Sequence, residues 1–298
     1  MDLQDELSKR LSSDCLETSL ETFKMITDVL FSLIKNHNPL HRNSSEKHDA
    51  FILAQMCMMR SISILELSKG FNYHNTFDAS ILESIDILSI SSLARCIMES
   101  YCNFNNIYIQ SKNNSELELK YSLWVIAGLK NRQSHNPTIE EYKIKKQFEA
   151  KQISDLIFSI HSNGAFLILD EKSKQIIEKA IRDKKWQVYI DNSSAQIAGW
   201  QKLFQNAGTN DTLDHLYTML SWNTHPSNLS VSQFAEAYEK NIISNGLKTT
   251  VVISTYILCF FVKDYCAYFS EMNQTLLKTP VVSQEIINLY NRVFRELH

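Results

Sequence analysis

Helix breakers are scarce in this chain: six Gly and four Pro stand among 298 residues. Glycine-rich phosphate loops and doubly wound sheets need Gly at their tight turns, so both are disfavoured, and long helices are favoured. The six Cys, at positions 15, 57, 96, 102, 259 and 266, form no CxxC pair. Most lie in apolar helical patterns, the pattern of buried free thiols in a reducing cytoplasm. Neither sign of charge dominates, with 30 Lys plus Arg against 33 Asp plus Glu. That balance argues against a dedicated nucleic-acid binder and leaves an RNA contact in a local patch undecided. The start, MDLQDELSKRLSSD, is polar and acidic, unlike a signal peptide. The most apolar run, residues 250–262, ends at Lys263 and Asp264. A membrane span needs roughly 20 apolar residues, so a buried core helix and no membrane partner are expected.

What the chain does have is core-forming material: 44% apolar residues, twelve Tyr and fifteen Phe. Apolar positions recur at helical spacing. The pattern predicts helices over residues 15–36, 49–69, 79–110, 115–133, 138–160, 169–183 and 195–206, one capped by Asp211 and ending near His225, and others over 230–241, 247–271 and 284–297. Strand-like alternation is almost absent, and WQVYID at 186–191 reads as a loop or short extended piece. The expected fold is all-α, a single multi-helix domain of about ten helices in an orthogonal or irregular bundle. Residues 1–48, an N-terminal helix and a polar loop, are set apart from a main domain at 49–298. The N-terminal helix is a candidate dimer interface, and a homodimer and a separate partner protein both stay open.

Two polar sets interrupt the apolar pattern. Within ILSISSLARCIME the charges are Arg95 and Glu99, four apart on one helix face. A charge in such a setting needs a partner, and the i,i+4 spacing supplies one. The pair is either an anion-binding Arg with a carboxylate base or a structural salt bridge. The second set is Tyr217, Ser221 and His225, again four apart, just before Pro226. His225 has the chemistry of a general base, with Tyr217 and Ser221 as ligand contacts. Equally, the set can be a satisfied polar seam. No GxSxG elbow exposes Ser221. No HExxH or Glu-x-x-His pair is present, and His37, His41 and His48 share one loop without acid or Cys spacing. No metal and no cofactor are therefore expected. The stretch 130–136, KNRQSHN, is a small basic patch that the helix dipole alone would favour.

Leu93-Ala94-Arg95-Cys96-Ile97-Met98-Glu99 resembles the Arg-x3-Glu helix of an uncharacterised all-helical prokaryotic family, domain of unknown function 5677. Tyr217-x3-Ser221-x3-His225 resembles its later Tyr-x3-Ser-x3-His segment, and the likeness covers roughly residues 50–270. The resemblance implies a helical fold, no established activity, and a meeting of the two motifs in space. Helical ribonucleases of toxin and defence systems carry an Arg-x4–6-His motif, from which Ser221-x3-His225 departs. Two functions are expected from different classes. One is a helical interaction or ligand-sensing protein of a stress or phage-defence module. The alternative is a metal-independent ribonuclease with His225 as base and Arg95 stabilising phosphate charge.

Overall fold

A computed structural model describes residues 2–77, 79–209, 213, 215–222, 224, 227–240 and 242–295. Fourteen α-helices and two small antiparallel hairpins make up the described fold, which is 75% helical. The helices are α1 (Leu3–Ser12), α2 (Leu16–Asn36), α3 (Ser45–Leu67), α4 (Ile87–Phe104), α5 (Asn114–Gln133), α6 (Glu140–Ser162), α7 (Gly164–Leu167) and α8 (Glu171–Arg182). They continue with α9 (Trp200–Asn206), α10 (Leu216–Trp222), α11 (Asn228–Glu239), α12 (Ile243–Tyr268), α13 (Asn273–Leu276) and α14 (Val281–Phe294). Strands β1 (Phe71–His74) and β2 (Ser80–Ser84) form the first hairpin, β3 (Val188–Asp191) and β4 (Ser194–Ile197) the second. The all-α class holds, but with more helices than about ten.

Two expected helices start later than their apolar spacing suggests. The 79–110 segment opens as strand β2, and α4 begins only at Ile87. Asp86 sets that start: its carboxylate accepts from the Ser89 backbone N–H at 3.0 Å, as an N-cap does. The helix then loosens into a π-helical turn over Asn105–Ile109. Likewise, residues 195–197 belong to β4, and α9 starts at Trp200. The first hairpin is solvent-exposed on both faces except at Ser84, so it leaves no alternation to read. The second buries Val188 and Ile190 on one face, and WQVYID is its first strand with the residues leading into it.

The chain divides into two compact units: residues 1–104 with 207–298, and residues 105–206. The first 48 residues fall in the same unit as residues 49–104. In that unit α12 packs against α2, α3, α4 and α14. Phe260, Phe261 and Tyr265 of α12 and Phe23 of α2 are fully buried, each Phe contributing about 1.5–3 kcal/mol of burial. Asp264 lies in the last two turns of this apolar helix and is paired with Arg295, whose Nη1 and Nη2 donate to its two oxygens at 2.8 and 3.3 Å. Arg295 Nε also donates to the Ala207 carbonyl at 3.1 Å, tying the chain end into the core. In the second unit Leu119, Leu123 and Ile126 of α5 meet Ile153 and Ile160 of α6 and Ile177 of α8.

Two helices, Ser45–Leu67 and Ile243–Tyr268, are long and apolar enough to cross a membrane by length and composition. Of their most apolar windows, 44% and 78% respectively are buried inside the protein. The second is the helical extension of the run at 250–262.

Candidate functional site

Helix α4 presents Arg95 and Glu99 one turn apart, and α10 brings Tyr217 to both. Arg95 Nε donates to Glu99 Oε1 at 2.9 Å, and Arg95 Nη2 donates to the Tyr217 hydroxyl at 2.8 Å. That hydroxyl in turn donates to Glu99 Oε1 at 3.2 Å, closing a triangle. The guanidinium carbon also lies 5.1 Å from the Tyr217 ring centroid. In an isolated helix, an acid placed N-terminal to the base is the better i,i+4 order. Here the Arg comes first, so helix preference alone does not account for the pair. Tyr217 supplies the third contact, and the side chains of Arg95 and Glu99 are only 18% and 25% exposed.

Electrostatics follow the geometry. Burial works against the Arg95 charge, but the Glu99 carboxylate and the Tyr217 hydroxyl outweigh it and hold its pKa above the ordinary value. Burial, and after it the Glu99 charge, raise the Tyr217 pKa, so its hydroxyl stays protonated at neutral pH. The triangle is a neutral clamp between two helices. Ser221, one turn further along α10, turns its hydroxyl onto the Tyr217 carbonyl at 2.6 Å. Of the five residues singled out by sequence, the structure brings Arg95, Glu99 and Tyr217 together and gives Ser221 a bond within its own helix. His225, together with the expected cap Asp211, lies outside the described residues.

Beside the clamp is a cavity of about 410 Å³. Ile87, Leu88 and Ser91 of α4 form one wall, Met219, Leu220 and Trp222 of α10 another, with Phe234 of α11 and Ile253 of α12 opposite. The Tyr238 hydroxyl of α11 donates to the Ile85 carbonyl at 2.8 Å, pinning α11 to the start of α4. The cavity size lies in the range of small-molecule sites, which are mostly apolar with a few polar groups. Ser91, Gln233, Asn245, Thr249 and Thr250 supply neutral polar groups here, and Glu236 a charged one.

A family model matches residues 59–242. The chain belongs to the family of unknown function DUF5677. No curated protein and no solved structure matches it. The DUF5677 segment contains α4, α10 and α11, hence the whole clamp and three of the four cavity helices.

Three further polar sets escaped the sequence reading. Glu116 and Lys120 form a buried ion pair at 2.7 Å in the second unit. Asp264 and Arg295 form another in the first. Glu271 joins His37 and His41. Only the Glu116–Lys120 spacing could have been read locally. The other two join residues far apart in the chain.

Proposed function

We propose that this DUF5677 protein is a helical ligand-sensing protein that holds a small, largely apolar molecule in the cavity between α4, α10, α11 and α12. The observation that carries this reading is the double role of α10. Tyr217 locks that helix to Arg95 and Glu99, while Met219, Leu220 and Trp222 on the same seven residues line the cavity. A ligand that presses on Leu220 and Trp222 acts on the helix that carries the clamp. Occupancy and clamp geometry are then coupled through one short rigid element.

The ribonuclease alternative has weaker support. The Arg95 charge, which would have to meet a phosphate, is already matched by the Glu99 carboxylate.

The test uses 1-anilinonaphthalene-8-sulfonate as an apolar anionic probe. The reading expects saturable binding at one site, with energy transfer from Trp222 that is lost in Trp222→Phe. Gly246 also lines the cavity, and a Cβ there would stand 3.7 Å from Ile87 Cγ1. Gly246→Leu should therefore fill the space and abolish binding while the circular dichroism spectrum stays unchanged. Binding that persists in a folded Gly246→Leu protein would remove the cavity from the function.

A further inference from the structure

His37 is the first residue after α2, and its backbone N–H still bonds back to the Ile34 carbonyl. Asn38 then caps a 3-10 turn over Pro39–His41 by accepting from the Leu40 N–H at 3.0 Å. That turn carries His41 back toward the His37 ring, with ring centroids 6.1 Å apart. From the other end of the unit, the 3-10 turn Ser270–Met272 that follows α12 delivers Glu271. The acid that the loop sequence lacked is supplied by this distant turn, whereas His48 is exposed on α3.

The His37 side chain is fully buried, edge-on to the rings of Phe51, Tyr265 and Phe269. Its Nδ1 is paired with the Tyr265 hydroxyl. Its Nε2, although buried, has no hydrogen-bond partner. A buried ring nitrogen left in that state demands an explanation. It stands 3.5 Å from Glu271 Oε1, and His41 Nδ1 stands 3.2 Å from the same oxygen. The three donor atoms all lie within 4.8 Å of one another. A tetrahedral ion with bonds of about 2.0–2.1 Å spaces its ligand atoms about 3.3 Å apart. The two separations to Glu271 Oε1, 3.5 and 3.2 Å, fall close to that edge.

We propose that His37 Nε2, His41 Nδ1 and Glu271 Oε1 bind a divalent ion of the Zn²⁺ type, with a remaining position open to water. Two imidazoles and one carboxylate suit a borderline transition ion better than Mg²⁺ or Ca²⁺, which take oxygen ligands. Tyr265 fills the outer role: with the His37 Nδ1–H donating to its oxygen, the Nε2 lone pair faces the ion. The nearby Arg42 guanidinium lies 3.7 Å over the Phe51 ring and works against a cation, so moderate affinity is expected.

The test is titration of the chelator-treated full chain with Co²⁺ and Zn²⁺, followed by visible d–d absorption and calorimetry. One ion per chain is expected, with the intense bands of a four- or five-coordinate Co²⁺ site. His41→Ala and Glu271→Gln alter half-exposed side chains and keep the fold, and each should weaken binding at least about tenfold. Tyr265→Phe should weaken it by about 10–100-fold through loss of ring orientation. His37→Ala risks misfolding, so the other variants decide. No stoichiometric binding, or unchanged binding in both folded His41→Ala and Glu271→Gln, would reduce the cluster to a His–Glu ion pair and overturn the proposal.

Discussion

The Tyr217 hydroxyl stands 2.8 Å from Arg95 Nη2 and 3.2 Å from Glu99 Oε1, so one phenol satisfies both members of a salt bridge on another helix. Removing it leaves the pair with its less favourable helical order and takes away a polar tie between α10 and α4. Tyr217→Phe should cost about 0.5–1.5 kcal/mol, at the lower end because the site is part-exposed. A double-mutant cycle with Glu99→Gln should return a coupling of about 0.5 kcal/mol or more in urea unfolding. Additive effects would mean that the triangle contributes geometry but no energy.

Arg95 and Glu99 were legible because they are charges in a helix face of Ile, Leu, Ser and Cys, where local spacing alone announces a pair. Tyr217 was legible as a polar stripe, but its meeting with Arg95 came from family resemblance, since no local period links residues in α4 and α10. The 79–110 segment reads as helix from its start because Ile81 and Ile85 share the spacing of Leu88, although Asp86 carries the cap signal that starts α4. The Asp264–Arg295 and His37–Glu271 pairs were invisible for a stronger reason. Each joins chain segments whose proximity is fixed only once α12 is packed. The division into two units was equally hidden at its first boundary, since Phe104 and Asn105 meet where α4 runs directly into the π-helical turn, with no polar linker between them.

Two glycines should respond to the same substitution with opposite sign. Gly128 is exposed in the interior of α5, and an added Cβ meets nothing within 4 Å. Gly128→Ala should therefore stabilise the fold by about 0.8–1 kcal/mol. Gly70, three residues past the end of α3, has φ +74, and a Cβ there would lie 3.1 Å from the Ser84 carbonyl oxygen. Gly70→Ala should destabilise by about 1–2 kcal/mol. Urea midpoints shifted in the same direction would contradict the backbone assignment at one of the two.

Lys120 and Glu116 are paired at 2.7 Å with side chains 0% and 5% exposed. Burial lowers the Lys120 pKa, and the Glu116 charge only partly offsets this. Lys120→Met alone leaves a buried carboxylate uncompensated and should cost about 3–5 kcal/mol. Adding Glu116→Gln to that variant should recover a large part of the loss. A double variant as unstable as Lys120→Met would show that packing of the Lys stem, not charge, is what the fold needs.

Four thiols should be silent in the native protein. Cys57, Cys102, Cys259 and Cys266 are buried, Cys96 is half-buried and Cys15 is exposed. Backbone amides of Thr18 and Glu17 at the start of α2 lower the Cys15 thiol pKa, which favours its reactive thiolate. Burial pushes Cys57 and Cys266 up to about 12. At about pH 8, a thiol reagent should label Cys15 first and Cys96 more slowly, and reach the other four only after unfolding. The same shifts set an alkaline limit. Between the ordinary thiol pKa and about 12, the unfolded chain has released protons that the native chain keeps, so stability falls as pH rises. It is fully present below about pH 8.5 and should decline steadily above it. Immediate labelling of four or more thiols, or a urea midpoint that stays flat as pH is raised through this window, would contradict the buried placement of these cysteines along α3, α4 and α12.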